Sequence, residues 1–201
     1  MSLAGRVLLR LRQLPCSVSS FWRQWWLQLF SGSSLRYLEI GAKNRFNVPV
    51  RSDGSGKLVI GNSNTFGWSP ATRLGNGEIL LQPRSLEAEI VIGNGNAFNN
   101  NVSLICMGKI SMGDNCLIGD QVLIYDCDWH EIDPLHRNRS VGPIRPVTIG
   151  NNVWLGSRVM VLKGVTIGDN SVIAAASVVT KPIPANCLAV GNPAQIIRSI
   201  E

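Results

Sequence analysis

The sequence has few of the residues that build metal centres and disulfide frameworks. It contains two histidines and five cysteines, and the cysteines form no CxxC pair. An odd cysteine count without that spacing argues against both a disulfide framework and a structural zinc site. Two histidines are also too few for a three-histidine zinc centre. We therefore expect no metal and a location in the reducing cytoplasm.

A basic surface is also absent from most of the chain, despite a formal net charge of +6. Residues 1–45 contain seven basic residues and one acidic residue, which leaves twelve of each sign in the remainder. The charge therefore belongs to one N-terminal segment. A nucleic-acid partner, which usually requires a basic patch on the folded domain, is not expected.

Long apolar runs are missing as well. The apolar stretch 21–30 contains Arg23 and falls short of the roughly 20 residues of a membrane-spanning helix. No signal peptide is expected either, because arginines interrupt the first apolar stretch and no small-residue cleavage site follows it. We predict a basic, Trp-rich helical arm over residues 1–45, with helices at 3–14 and 21–27. Two alternatives stay open: the arm makes peripheral contact with a membrane, or it caps the open end of the next domain.

A six-residue repeat dominates the rest of the sequence. Apolar residues recur at every sixth position in three blocks: Leu74, Leu80, Leu86, Ile92, Phe98 and Leu104; Met112, Ile118 and Ile124; Ile149, Leu155, Val161, Ile167, Ile173 and Val179. Gly-Asp and Gly-Asn pairs punctuate the repeat and suit turns with positive φ. Each hexapeptide then forms one flat side of a prism, with its apolar residue pointing inward. The period predicts a mainly β fold, a parallel β-helix over residues 46–190.

Two segments depart from this period. Residues 125–146 are rich in charge and contain both histidines, so they predict an excursion loop that leaves the prism. Near the end, Pro193 precedes Ala194 in a position that suits the first turn of a helix, which predicts a short C-terminal helix over residues 191–201.

The histidine loop and the coil after it resemble one family. The run PVTIGNNVWLG at 146–156, preceded by the loop with His130, is similar to the sugar O-acetyltransferase branch of the hexapeptide-repeat acyltransferases, typified by maltose and galactoside acetyltransferases. The resemblance implies a left-handed single-stranded β-helix and acetyl-CoA as co-substrate. It also implies a homotrimer, in which the CoA channel lies between adjacent subunits and the excursion loop of one subunit extends toward the next.

His130 occupies the catalytic-histidine position of that pattern. A hydroxyl attacks a thioester only if a base accepts its proton, and imidazole performs this task near neutral pH. A second partner must orient the ring, and four carboxylates of the loop are candidates: Asp126, Asp128, Glu131 and Asp133. A backbone N–H near Gly156 or Ser157 is the expected oxyanion donor.

The resemblance also implies binding residues. Asn99 matches the acceptor-binding asparagine, with a turn-forming role as the alternative. Trp154 faces outward by the period, where it packs on a sugar, on CoA or on a neighbouring subunit. Five residues match the CoA groove: Ser157, Ala175, Thr180, Lys181 and Arg198. The two cations among them suit phosphate groups.

The sequence departs from the galactoside enzymes at two places. Cys106 and Met107 stand where those enzymes carry paired aspartates, so their acceptor cannot be transferred to this chain, and Gln195 replaces a basic residue. The predicted function is O-acetylation of a sugar or polysaccharide hydroxyl. The alternatives are an N-acetyltransferase of an amino-sugar nucleotide and a non-catalytic structural β-helix.

Overall fold

A computed structural model describes residues 35–201, which form twenty short β-strands and no helix. In chain order the strands are β1 (Tyr37–Ile40), β2 (Arg45–Phe46), β3 (Val50–Arg51), β4 (Lys57–Ile60), β5 (Thr65–Phe66), β6 (Ile79–Pro83), β7 (Glu89–Ile92), β8 (Ala97–Phe98), β9 (Ser103–Cys106), β10 (Lys109–Met112), β11 (Leu117–Ile118), β12 (Leu123–Tyr125), β13 (Val147–Ile149), β14 (Trp154–Leu155), β15 (Met160–Val161), β16 (Thr166–Ile167), β17 (Val172–Ile173), β18 (Val178–Val179), β19 (Cys187–Gly191) and β20 (Ala194–Ser199).

Strands β1 to β18 enter three sheets in turn, and β19 and β20 both join the second sheet. The first sheet has the order β1-β4-β7-β10-β13-β16, the second β2-β5-β8-β11-β14-β17-β19-β20, and the third β18-β15-β12-β9-β6-β3. Strands of successive coils pair in parallel, as in Leu117 beside Trp154 and Trp154 beside Val172. The predicted parallel β-helix is thereby confirmed, with one strand of each coil in each sheet.

The core is a set of side-chain columns inside the prism. In the second sheet, Phe46, Phe66 and Phe98 stack at centroid distances of 5.0 and 4.8 Å, and Ile118 and Leu155 continue the buried column. Burying each such side chain contributes about 2–3 kcal/mol relative to leaving it exposed. The six-residue spacing is therefore the spacing of core positions along the chain.

The predicted register is wrong for the first three members of one block, whereas its later members Ile92, Phe98 and Leu104 are buried as predicted. Leu74 and Leu86 are 59% and 63% exposed, and Leu80 is only partly buried, whereas Ile79 and Leu81 are fully buried. The reason is a loop over residues 67–78, between β5 and β6, that leaves the prism and resets the phase. The spacing of Leu74, Leu80 and Leu86 therefore did not mark the core.

The boundary of the arm also needs correction. Strand β1 lies within the predicted arm of residues 1–45, and β2 begins at its last residue. They pair with β4 and β5, so the β-helix includes them. The predicted helices at 3–14 and 21–27 lie outside the described residues. Within residues 35–201, no helix is long and apolar enough to cross a membrane.

The predicted C-terminal helix is wrong. The chain reverses at Asn192–Pro193, a cis peptide bond, and β20 pairs antiparallel with β19. The last parallel strand of the second sheet presents unpaired backbone groups, and β20 satisfies them. This tertiary demand overrides the local preference for a helix start at Ala194.

The turns between sheets align in three columns that we name by one member each. The Asn94 corner joins the first sheet to the second, and side chains there cap the next coil: Asn94 N–H donates to Asp114 Oδ1 at 2.6 Å, and Asp114 N–H donates to Asn151 Oδ1 at 2.9 Å. The Asn99 corner joins the second sheet to the third, and the His130 corner joins the third to the first.

Candidate functional site

The predicted excursion loop is present at the His130 corner, between the end of β12 at Tyr125 and the start of β13 at Val147. Its base is fixed by Asp126, whose fully buried carboxylate accepts the N–H groups of Met107 at 2.9 Å and Gly108 at 2.6 Å. The Asp126 carbonyl accepts the N–H of Arg145 at 2.9 Å. The two ends of the loop are therefore joined to each other and to the preceding coil.

Side chains hold the loop against other coils. The Arg84 guanidinium lies 4.4 Å from the centroid of the Trp129 ring, which makes an edge contact with Tyr125 at 6.0 Å. On the other side, the Lys163 ammonium pairs with Asp128. Trp129 has φ +66°, a conformation that is strained for a bulky residue, and such strain persists only where surrounding contacts enforce it. The loop is thus fixed immediately before His130.

His130 is exposed, and its ring is oriented by the backbone. Its Nδ1 lies 3.0 Å from the carbonyl oxygen of Arg137. A carbonyl can only accept, so Nδ1 donates, and in the neutral ring Nε2 is left as the acceptor. Gly142, at φ +72°, passes so close that a Cβ there would lie 2.8 Å from the His130 carbonyl oxygen.

Within residues 35–201, none of the four candidate carboxylates contacts the His130 ring. Asp126 and Asp128 are engaged as described above, Glu131 accepts the Ser140 hydroxyl at 3.0 Å, and Asp133 contacts His136 at 2.7 Å. The His136 contact, together with the Leu135 N–H, holds the pKa of Asp133 below its usual value. Each of the four carboxylates thus has another partner, and the Arg137 carbonyl orients His130 instead.

The Asn99 corner gathers a second group of predicted residues. Asn99, Ser157 and Ala175 lie in the turns that join the second sheet to the third, with the Asp120 turn between those of Asn99 and Ser157. The turns are linked by backbone hydrogen bonds: the Asn99 N–H donates to the Ile118 carbonyl, and the Ala176 N–H donates to the Ser157 carbonyl. The coils approach closely here, because a Cβ on Gly119 would lie 2.5 Å from the Ser157 nitrogen.

Asp120 lies in the turn between those of Asn99 and Ser157, and the sequence does not single it out, because a Gly-Asp pair is typical of any turn of this repeat. A hydrogen bond from the Ser157 side chain is the largest influence that holds the pKa of Asp120 below its usual value. Gln121 Nε2 also donates to Asp120 at 3.0 Å. A carboxylate thus stands beside the first of the predicted CoA residues.

Trp154 faces outward as predicted. Its side chain is 53% exposed, and the neighbouring Leu117 of β11 is equally exposed, whereas Val153 and Leu155 are buried. The two exposed side chains form an apolar pair on the outer face of the second sheet, next to the Asn99 corner. The contact of Trp154 with a sugar, with CoA or with a neighbouring subunit stays a prediction.

The other predicted CoA residues lie elsewhere. Thr180 and Lys181 are exposed at the His130 corner, and Arg198 is exposed on β20, where its Nη1 donates to the Ser199 carbonyl at 3.1 Å. One chain therefore carries two separate groups, one at each end of the strands of the third sheet, and we call these two sides its edges. His130, Thr180 and Lys181 lie on the edge where the strands end, and Asn99, Ser157 and Ala175 lie on the edge where they begin.

Four cysteines lie within residues 35–201, and none of these four forms a disulfide. Cys106, Cys116, Cys127 and Cys187 are buried and free. Burial raises the pKa of the thiols of Cys106, Cys116 and Cys127, which keeps them protonated. Within residues 35–201, no group of three or more His, Cys, Asp or Glu side chains is arranged to hold a metal ion.

The chain is similar to known proteins. Residues 146–181 match the family described as bacterial transferase hexapeptide (six repeats). The galactoside O-acetyltransferase of Escherichia coli (strain K12) is 43% identical over 118 residues, which are 58% of this chain and 57% of that protein. The chain spans about half the length of the curated relatives it matches, 57%, 57% and 49% for three of them.

Two solved structures show the same fold. A hexapeptide-repeat acetyltransferase from Vibrio cholerae has a TM-score of 0.62 and 26% identity, covering 98% of this chain and 89% of that one. A galactoside acetyltransferase in complex with coenzyme A has a TM-score of 0.50 and 30% identity, covering 80% and 66%. The predicted resemblance is confirmed: the chain is similar to the hexapeptide-repeat acetyltransferases, and residues 146–181 carry their repeat.

Proposed function

We propose that this protein is an acetyl-CoA-dependent O-acetyltransferase that acts on a sugar or polysaccharide hydroxyl, with His130 as general base on a left-handed β-helix. The observation that carries the proposal is the orientation of the His130 ring. Its Nδ1 is committed to the Arg137 carbonyl, so Nε2 is available to take a proton. The similar acetyltransferases, one of them in complex with coenzyme A, support the choice of co-substrate.

The reaction follows from this geometry. The acceptor oxygen attacks the thioester carbonyl carbon while Nε2 of His130 takes the hydroxyl proton. The oxyanion that forms needs a backbone donor. Gly156 N–H is already bonded to Ile173, whereas Ser157 N–H has no acceptor within residues 35–201, which favours Ser157. Collapse of the intermediate expels the CoA thiolate, which receives the proton from the imidazolium, and leaves the acetyl ester.

A complete site on this proposal needs two copies of the chain. The His130 corner of one subunit faces the Asn99 corner of the next, in a homotrimer. Ser157, Ala175 and Thr180 then line the CoA channel, Lys181 and Arg198 hold its phosphates, and Asn99 and Trp154 contact the acceptor. The position of the two groups on opposite edges of the third sheet supports this arrangement. The expected location is the cytoplasm, with membrane contact through the arm as the open alternative.

The test compares the two histidines of the loop. We would measure acetyl transfer from acetyl-CoA to a panel of sugars, by thiol release and by the mass of the product, for the wild type, His130→Ala and His136→Ala. Removal of a general base is expected to lower kcat by about 10²–10⁴-fold in His130→Ala. His136→Ala serves as the matched control and retains near-normal turnover. Wild-type turnover in His130→Ala would contradict the assignment.

A further inference from the structure

The loop over residues 67–78 has no part in the reaction as described. It replaces the short turn of the Asn99 corner between β5 and β6, and it carries two exposed apolar side chains, Trp68 at 57% and Leu74 at 59%. Tryptophan offers a large apolar area with a polar N–H and is enriched at interfaces, which makes the exposed Trp68 indole a candidate binding surface.

The backbone of Trp68 is held firmly although its side chain is exposed. Asn100 is fully buried, and its Oδ1 accepts the Trp68 N–H at 3.0 Å. Its Nδ2 lies 3.1 Å from the carbonyls of Trp68 and Thr72 and 3.3 Å from that of Ala71. On the preceding side, Gly67 N–H donates to Phe98 at 2.8 Å. A rigid backbone thus presents the indole to solvent, so its exposure is a property of the fold.

Trp68 lies in the column of turns that forms the Asn99 corner, one coil before Asn99. Along the axis, the turns of this corner follow the order Trp68, Asn99, Asp120, Ser157 and Ala175, one per coil. Neighbouring coils are about 4.8 Å apart. On the proposed function CoA lies against Ser157 and Ala175, and the acceptor lies at Asn99. Trp68 is then the next position beyond the acceptor, on the side away from the thioester.

We infer that Trp68 is a stacking platform for a second sugar ring, and that the acceptor is an oligosaccharide or polysaccharide; this inference rests on the proposed function. A pyranose ring has an apolar face of C–H groups that packs on an indole, and its length is close to the coil spacing. A ring attached to the one at Asn99 therefore falls over Trp68. A monosaccharide reaches Asn99 and leaves Trp68 uncovered.

The first test measures binding without any reaction. Wild type, Trp68→Ala, Trp68→Phe and the matched control Leu74→Ala are applied to an array of monosaccharides and their di-, tri- and tetrasaccharides. The wild type and Leu74→Ala are expected to bind oligosaccharides more tightly than monosaccharides. Trp68→Ala is expected to lose about 10-fold in oligosaccharide affinity, and Trp68→Phe to recover most of it. Equal binding of all lengths by the wild type, or none, would overturn the inference.

The second test separates this inference from the proposed function. With a sugar that the transfer screen identifies, Trp68→Ala should raise KM for the oligosaccharide and leave its kcat and the monosaccharide KM unchanged. If the wild type transfers acetyl groups but Trp68→Ala changes KM equally for saccharides of every length, the stacking role of Trp68 is wrong and the proposed reaction stands. A change of oligomer mass in Trp68→Ala would place Trp68 in a subunit contact and also overturn it. Absence of transfer combined with length-dependent binding through Trp68 would reject the reaction and retain the platform.

Discussion

At the scale of single residues, Asp126 determines where the excursion loop starts. Its carboxylate is fully buried and accepts two backbone N–H groups, those of Met107 and Gly108. Asp126→Asn replaces one acceptor oxygen by a donor, so one of the two N–H groups loses its partner, at a cost of about 1–3 kcal/mol. We expect a lower melting temperature and a lower kcat, because His130 lies four residues further along the loop.

Asp128→Asn is the control for that substitution. Asp128 pairs with Lys163 at a partly exposed position, where such pairs contribute little. Its melting temperature should therefore stay close to that of the wild type. Equal melting temperatures for Asp126→Asn and wild type would show that the buried carboxylate does not anchor the loop.

At the scale of elements, one carboxylate joins three strands of the first sheet. Glu89 of β7 lies 2.9 Å from Lys57 of β4 and 2.9 Å from Lys109 of β10. Hydrogen bonds from these two lysines, with Lys57 the larger influence, lower the pKa of Glu89 below its usual value. Because the folded pKa is lower than the unfolded one, the stabilisation is complete above the unfolded value of about 4.3 and is lost as the pH falls through the folded value.

Glu89→Gln should therefore lower the melting temperature by a few degrees near neutral pH, and the difference from the wild type should shrink in acid. Thermal unfolding monitored by circular dichroism across that range measures this. Glu87→Gln is the control, since its pair with Arg36 is 3.4 Å long and highly exposed. A difference between Glu89→Gln and wild type that stays constant with pH would contradict the assigned role.

At the scale of the whole molecule, the predicted site residues lie on two opposite edges of the third sheet. This separation predicts that each active site is shared between two chains. His130→Ala damages only the His130 corner of a chain, and Asn99→Ala damages only its Asn99 corner. If each site combines corners of two chains, unfolding and refolding an equal mixture of the two variants restores some intact sites. Random assembly of a closed ring leaves about a quarter of the sites with both corners native.

Acetyl transfer by the mixture, compared with each variant refolded alone, measures this recovery. The expected result is activity well above the sum of the separate variants. A mixture no more active than the two variants alone, with hybrid assemblies present by native mass spectrometry, would show that each chain builds its own site.

Several elements of this molecule follow from the sequence because their signal is local and repeated. The columns through Ile149, Leu155 and Val161 follow the six-residue period, and each side chain is buried. The excursion loop appears where the period stops, at Tyr125. Where a second loop interrupted the repeat, as before Ile79, the same period gave the wrong phase, because an insertion of unknown length resets it.

The sequence by itself determined the coiled β architecture, the break that carries both histidines, and the outward position of Trp154, since a fixed period decides which side chains face the core. Only the tertiary structure decided that Arg137 orients His130, that Asn100 holds Trp68, that Ala194 begins a strand, and that the predicted site residues lie on two edges of one sheet. These outcomes depend on which polar groups meet across coils or across the loop, where unsatisfied backbone and buried polar groups select their partners.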